Sequence, residues 1–145
     1  MRSPDEVSHS VLIRAEPGAV YDLFGTAAGL DSWFTTGAEV DAKAGGTIVY
    51  RWKDWGADAV TTEARGVVRE ADRPRRFVFD WDSDDDWPTT VEMRFEARGM
   101  DTVMRLREYG FSAGERGRIA LAREASGWGE AMTLAKFRIE HGVRY

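Results

Sequence analysis

The stretch that decides the fold is residues 117–142, GRIALAREASGWGEAMTLAKFRIEHG. Leu121, Ala125, Trp128, Met132, Ala135 and Ile139 recur at steps of four and three, the period of one helix face. Leu134 and Phe137 widen the stripe, and Arg123, Glu124, Glu130, Lys136, Arg138 and Glu140 fill charged positions around it. A helix of about 24 residues reaches roughly 36 Å at 1.5 Å per residue, enough to cross a small domain. Gly127 and Gly129 flank Trp128, and each costs roughly 1 kcal/mol in a helix interior. The pair predicts a close backbone approach at that point, with Trp128 pushed into the space.

Upstream of this helix the period changes. Residues 7–15 alternate around Val11 and Ile13 and read as a first strand. Glu16-Pro17 opens a short helix with Val20, Leu23 and Phe24 on its apolar face, because a proline at the first helical position loses no hydrogen bond. Residues 27–34 predict a second short helix with Leu30, Trp33 and Phe34 as its apolar positions. From residue 39 onward the pattern is that of strands. Residues 39–41 form a short one, and Gly45-Gly46 marks a turn. Residues 47–53 place Ile48, Tyr50 and Trp52 on one face, and a loop follows at 54–58. Residues 60–70 come next, then 76–82 with Phe77, Phe79 and Trp81 inward. Residues 90–97 carry Val91, Met93 and Phe95, and 102–109 carry Thr102, Met104, Leu106 and Glu108. Strands joined by short turns pair as an antiparallel meander. A sheet with one apolar face needs a cover, and the long helix supplies it. The expected architecture is one α+β domain over residues 1–145, a curved sheet of about six to seven strands around a C-terminal helix.

Composition excludes several functions. At 145 residues and 43% hydrophobic the chain suits one core. No apolar run approaches the roughly 20 residues of a membrane span, and residues 1–10 lack the apolar segment of a secretory leader. There is no cysteine, so disulfides, thiolate metal sites and cysteine nucleophiles are absent. A reducing cytoplasm is the expected location. A net charge of −5 with scattered basic residues argues against nucleic acid as a partner. His9 and His141 stand alone and read as surface residues, so neither a metal cluster nor a Ser–His–Asp arrangement is expected. The acidic run Asp80, Asp82, Asp84, Asp85 and Asp86 reads as a solvated turn rather than a calcium loop.

Several motifs, in order, resemble the START-like helix-grip superfamily, also called SRPBCC, and most closely the domain shared with the activator of the Hsp90 ATPase. They are Ala15-Glu16-Pro17 followed by Val20 and Phe24, Leu30-Asp31-Ser32-Trp33-Phe34, Gly45-Gly46 and Gly66-Val67-Val68-Arg69-Glu70. Arg76-Phe77-Val78-Phe79-Asp80-Trp81, Thr102-Val103-Met104-Arg105-Leu106 and Gly127-Trp128 complete the set. The resemblance implies the helix-grip fold and a cavity between sheet and long helix, used across the superfamily for apolar or amphipathic small molecules. Some members are cyclases or hydrolases, and others regulate partners. The Hsp90 activators use a further N-terminal domain for which these 145 residues leave no room.

The expected activity is therefore binding of a small apolar or aromatic ligand under the long helix, with no cofactor. The alternatives are a cyclase- or hydrolase-like enzyme in the same cavity and a chaperone-regulating interaction domain. No recognisable catalytic constellation is present. Trp81 and Trp128, with Phe79, Met104 and Met132, are the first candidates for the pocket wall, since such sites are rich in aromatic side chains. Tyr50 joins them from its inward face, and Trp33 and Phe34 are expected at the lip. Trp55, in the predicted loop, reads as a cap on the pocket or as a contact in a homodimer, for which a free sheet edge would also serve. Glu108 is the one catalytic candidate, because a carboxyl in phase with an apolar face is costly unless paired or protonated. The preferred reading of Glu108 is the ordinary one, a strand end open to water or paired with an arginine. Arg51 and Arg107, out of phase with the apolar faces, are expected to point to solvent.

Overall fold

The computed structural model describes residues 1–83 and 85–145. The chain runs β1 (Val7–Ile13), α1 (Pro17–Gly25), α2 (Ala27–Asp31), β2 (Glu39–Val40), β3 (Thr47–Trp55) and β4 (Val60–Asp72). It continues through β5 (Arg76–Trp81), β6 (Thr89–Arg98) and β7 (Asp101–Tyr109) to α3 (Glu115–His141). The seven strands form one antiparallel sheet in the order β1-β7-β6-β5-β4-β3-β2. Every step of the meander is a neighbour pairing except β1, which returns to pair with β7 along its whole length. This is the helix-grip arrangement, a curved sheet with two short helices after the first strand and a long C-terminal helix.

Strand alternation fixes the inner face. Thr102, Met104, Leu106 and Glu108 of β7 are all buried on one side, while Arg105 and Arg107 point out. Phe77, Phe79 and Trp81 of β5 share that inner side. Arg51 and Arg107 lie outward as expected, paired with Glu39 and Glu6. Two irregularities bend the sheet, one in β3 between Trp52 and Trp55 and one in β4 between Val68 and Glu70. The first keeps Trp55 within a strand rather than in the predicted loop.

The long helix begins two residues earlier than its period predicts. Its first turn packs so tightly on the preceding chain that a Cβ on Gly117 would lie 1.9 Å from the Ser112 carbonyl oxygen. At its far end Gly142, in the left-handed conformation, closes the helix through its N–H on the Arg138 carbonyl. Lys136 ties that end to the sheet, donating to the Leu12 carbonyl of β1 at 2.6 Å and to Glu140 at 2.6 Å.

The buried face of α3 keeps Trp128, Met132 and Ala135 of the predicted stripe, with Leu121 and Ile139 partly buried against the core, and widens to Gly117, Ala120 and Ala131. Gly117, Ala120, Trp128, Ala131, Met132 and Ala135 are buried, whereas Ala125 and Phe137 are exposed. Small residues let the helix approach the sheet closely, so alanine and glycine, not the larger Leu121 and Ile139, fill the tightest line of contact.

The second short helix is shorter than predicted. It stops at Asp31 because that carboxylate accepts from the Thr35 hydroxyl at 2.7 Å and from the backbone of Gly37 and Ala38. This local bonding competes with helix continuation and turns the chain, leaving Trp33 and Phe34 in the turn. The acidic segment also departs from expectation. Asp84 lies outside the described residues, but Asp85 is buried, only 8% exposed. Its carboxylate accepts from Ser112 N at 2.6 Å and from the Ser112 hydroxyl, fastening this turn to the entrance of α3.

Candidate functional site

Where the ends of β3, β4 and β5 diverge from the middle of α3, a cavity of about 240 Å³ opens to solvent. Trp52 and Trp55 of β3, Val60 of β4, Trp81 of β5 and Phe34 from the turn after α2 form the sheet side. The helix contributes Arg123, Glu124, Gly127, Trp128 and Glu130. The aromatic rings brace one another. Phe34 meets Trp52 and Trp55 edge-on, each at 5.4 Å between centroids, and Trp81 lies against Trp128 at 5.4 Å. Such pairs hold the wall at about 0.5–1.5 kcal/mol each beyond their buried area.

Behind Trp81 and Trp128 sits Glu108, with no solvent exposure. Its Oε1 accepts from Trp128 Nε1 at 2.7 Å. Its Oε2 accepts from the Thr89 hydroxyl at 2.7 Å and from Trp81 Nε1 at 3.4 Å. It also hydrogen-bonds the side chain of Glu124, which itself lines the cavity. Burial pushes the Glu108 carboxyl above its ordinary value, and the bonds from Thr89, Trp128, Glu124 and Trp81 only partly offset it. The ordinary reading of this residue, open to water or paired with an arginine, is therefore wrong. The strand end is covered by α3, and the partners are indoles, a hydroxyl and a second carboxyl.

The predicted site residues divide into wall and support. Phe34, Trp81 and Trp128 line the cavity, and Trp55 caps it while packing on Tyr145 at 5.2 Å. Trp33 does not reach this cavity. It is 2% exposed, donates Nε1 to the Leu23 carbonyl at 3.0 Å, and stacks on Phe34 at 4.7 Å, so it backs the lip. Tyr50 and Phe79 are fully buried one layer down, 5.2 and 5.5 Å from the Trp81 ring. Among the described residues the Tyr50 hydroxyl has no hydrogen-bond partner, and burial raises its pKa. Met104 and Met132 are fully buried in the core and do not line the cavity.

Trp52, Val60, Glu124, Gly127 and the flanking Arg123 and Glu130 complete the site, and the sequence reading did not select them. For Glu124 a signal existed. It stands four residues after Ala120 and four before Trp128, in phase with the buried line rather than with the charged positions. Gly127 and Gly129 also need correction. A Cβ on either meets nothing within 4 Å, so no backbone crosses there. Gly127 instead leaves room beside the cavity. Among the described residues no group of three His, Cys, Asp or Glu side chains is placed to hold a metal ion, and no helix is long and apolar enough to cross a membrane.

A curved sheet gripping a long helix, with an aromatic cavity between them, defines a helix-grip protein of the START-like class. The chain belongs to the family described as Activator of Hsp90 ATPase homolog 1-like protein, whose model matches residues 14–137. No curated protein matches it. Solved structures agree on the fold. The Aha1 dimer from Colwellia psychrerythraea is 17% identical, with 95% of this chain and 98% of that one covered and a TM-score of 0.75. CalU16 from Micromonospora echinospora is 18% identical over 96% of this chain and 80% of its own, with a TM-score of 0.75. DynU16, a protein of the dynemicin biosynthetic locus, is 16% identical with a TM-score of 0.80. It matches over 99% of this chain and 51% of its own.

Proposed function

We propose that this protein binds a small apolar or aromatic molecule in the cavity between β3–β5 and α3. The observation that carries the reading is an open cavity of about 240 Å³ walled by Phe34, Trp52, Trp55, Trp81 and Trp128. Five aromatic side chains gathered around one solvent-connected cavity are what small-molecule sites are made of. The family's fold and a structural neighbour from a biosynthetic locus are in keeping with it.

The six tryptophans supply the test. Naphthalene titrated into isotope-labelled protein is expected to shift the indole N–H resonances of Trp52, Trp55, Trp81 and Trp128. That of Trp87 is expected to stay in place, since it is bonded to the Gly110 carbonyl away from this wall. Gly127→Leu, which adds a side chain where the cavity has room, is expected to abolish the shifts while the fold persists. Unchanged titration in that variant would place the ligand elsewhere.

A second reading, acid–base chemistry in the same cavity, is favoured by one observation. Glu108 and Glu124 are hydrogen-bonded, and Glu124 reaches the cavity, so a proton held in the pair has a route to a bound molecule. Glu124→Gln that retains ligand but loses turnover of it would be the signature.

A further inference from the structure

The make-up of the wall narrows the ligand class, given the reading of the cavity as a binding site. Five of its ten lining residues are aromatic, and aromatic faces carry negative quadrupolar charge. The indole N–H groups of Trp81 and Trp128 are both taken by Glu108, which lies behind the wall and does not line the cavity. These two side chains therefore offer a ligand ring carbon, not hydrogen-bond donors.

Apart from Val60 and Gly127, the remaining wall is charged. Glu124 lines the cavity and hydrogen-bonds Glu108 behind it. A hydrogen bond between two carboxyl groups needs a proton on one of them, so the pair carries a single negative charge. Glu130 adds a second negative charge, and Arg123, on the exposed side of α3, is the one positive charge in the lining. The site thus holds one negative charge in excess beside a set of π faces. That combination complements a positive charge with an apolar skin. A weakly hydrated cation loses little on leaving water, and it gains both from the rings and from the carboxylate.

We propose that the cavity selects an organic cation: a substituted or quaternary ammonium group bearing an apolar or aromatic substituent, seated against the aromatic wall with the single charge of the Glu108–Glu124 pair, reached through Glu124, as its counter-ion. A neutral aromatic fits the same space without the charge interaction. An aromatic anion meets Arg123 but faces two carboxyl groups.

Three probes of similar bulk separate these cases: benzyltrimethylammonium, its neutral carbon isostere neopentylbenzene, and phenylacetate, each titrated by tryptophan fluorescence at one pH and ionic strength. The cation is expected to bind about tenfold or more tightly than the isostere, and phenylacetate most weakly. Glu124→Gln is expected to bring the cation down to the isostere's affinity while leaving the isostere unchanged, which also shows that the cavity is intact. If the isostere binds as tightly as the cation, or phenylacetate binds best, the cavity stands and the cation proposal is overturned. Loss of the isostere in Glu124→Gln would make Glu124 a shaping residue and overturn its role as counter-ion. If none of the three binds, the binding-site reading itself falls, and this proposal with it.

Discussion

Gly127→Ala separates the demands of the helix from those of the cavity. Gly127 sits in the interior of α3, where glycine costs about 0.8–1 kcal/mol relative to alanine. A Cβ there meets no atom within 4 Å, so no strain offsets the gain. The substitution is expected to stabilise the fold by about 1 kcal/mol. At roughly 2.1 cal/mol/K of unfolding entropy per residue, a chain of 145 residues gains about 3 °C in melting temperature. The new methyl also lines the cavity, so affinity for an aromatic probe should fall. Gly129→Ala is the control. It lies in the same helix, with open space at its Cβ, but is not part of the cavity lining. It should give the same rise in melting temperature and leave affinity unchanged. Differential scanning calorimetry with a parallel fluorescence titration reads both quantities. A lower melting temperature for Gly127→Ala would mean that the methyl meets packed structure. Equal effects of the two variants on affinity would remove Gly127 from the site.

Two further predictions concern buried carboxyls. Burial raises the Glu108 pKa, so the fold holds this proton to a higher pH than the unfolded chain, which ionises around the ordinary 4.5. The Glu108 contribution therefore declines as pH rises from about 4.5 toward the folded value. Glu108→Gln lacks this term, and the stability of the wild type relative to the variant should fall with rising pH in urea denaturation. Parallel curves would show that Glu108 is ionised in the fold. Asp85 has the opposite sign. Burial alone would raise its pKa, but the hydrogen bonds from Ser112 and from the Asp86 backbone outweigh it and hold the carboxyl below 3.8. Its contribution is present above that value and is lost as pH falls through the folded pKa. Asp85→Asn is expected to cost about 1–3 kcal/mol at neutral pH, with the deficit shrinking in acid. A deficit independent of pH would make the loss one of shape rather than charge.

The fold was legible because it rests on periods. Alternation placed Phe77, Phe79, Trp81, Met104 and Leu106 on one face, and register carried that face through the pairing of β5, β6 and β7. The cavity was legible only in its largest members. Trp81 and Trp128 end on its wall, but Met104 and Met132, equally inward by period, lie in the filled core. A period states which side a residue faces. It does not state how far the helix stands from the sheet at that point, and this distance decides between core and cavity. Along α3 the distance is set by residue size. Where Ala131 and Ala135 face the sheet the helix closes down, and where Glu124, Gly127 and Trp128 face it a cavity remains.

Glu108 shows why a polar residue on an apolar face is worth following to its partners. From sequence its neighbours across the sheet are countable, but its helix neighbour depends on the rotation of α3. The predicted stripe holds at Trp128, Met132 and Ala135, but running it through Ala125, which is exposed, assigns Glu124 to solvent. The buried line through Ala120 and Trp128 brings Glu124 inward and sets the two carboxyls against each other. Burying one carboxyl against two indole N–H groups and a hydroxyl is a way of satisfying it. Adding a second carboxyl to the same cluster brings two acidic groups together, a repulsion that a shared proton must relieve. An arrangement that costs stability, at the wall of an open aromatic cavity, is better explained by what enters the cavity than by the fold that surrounds it.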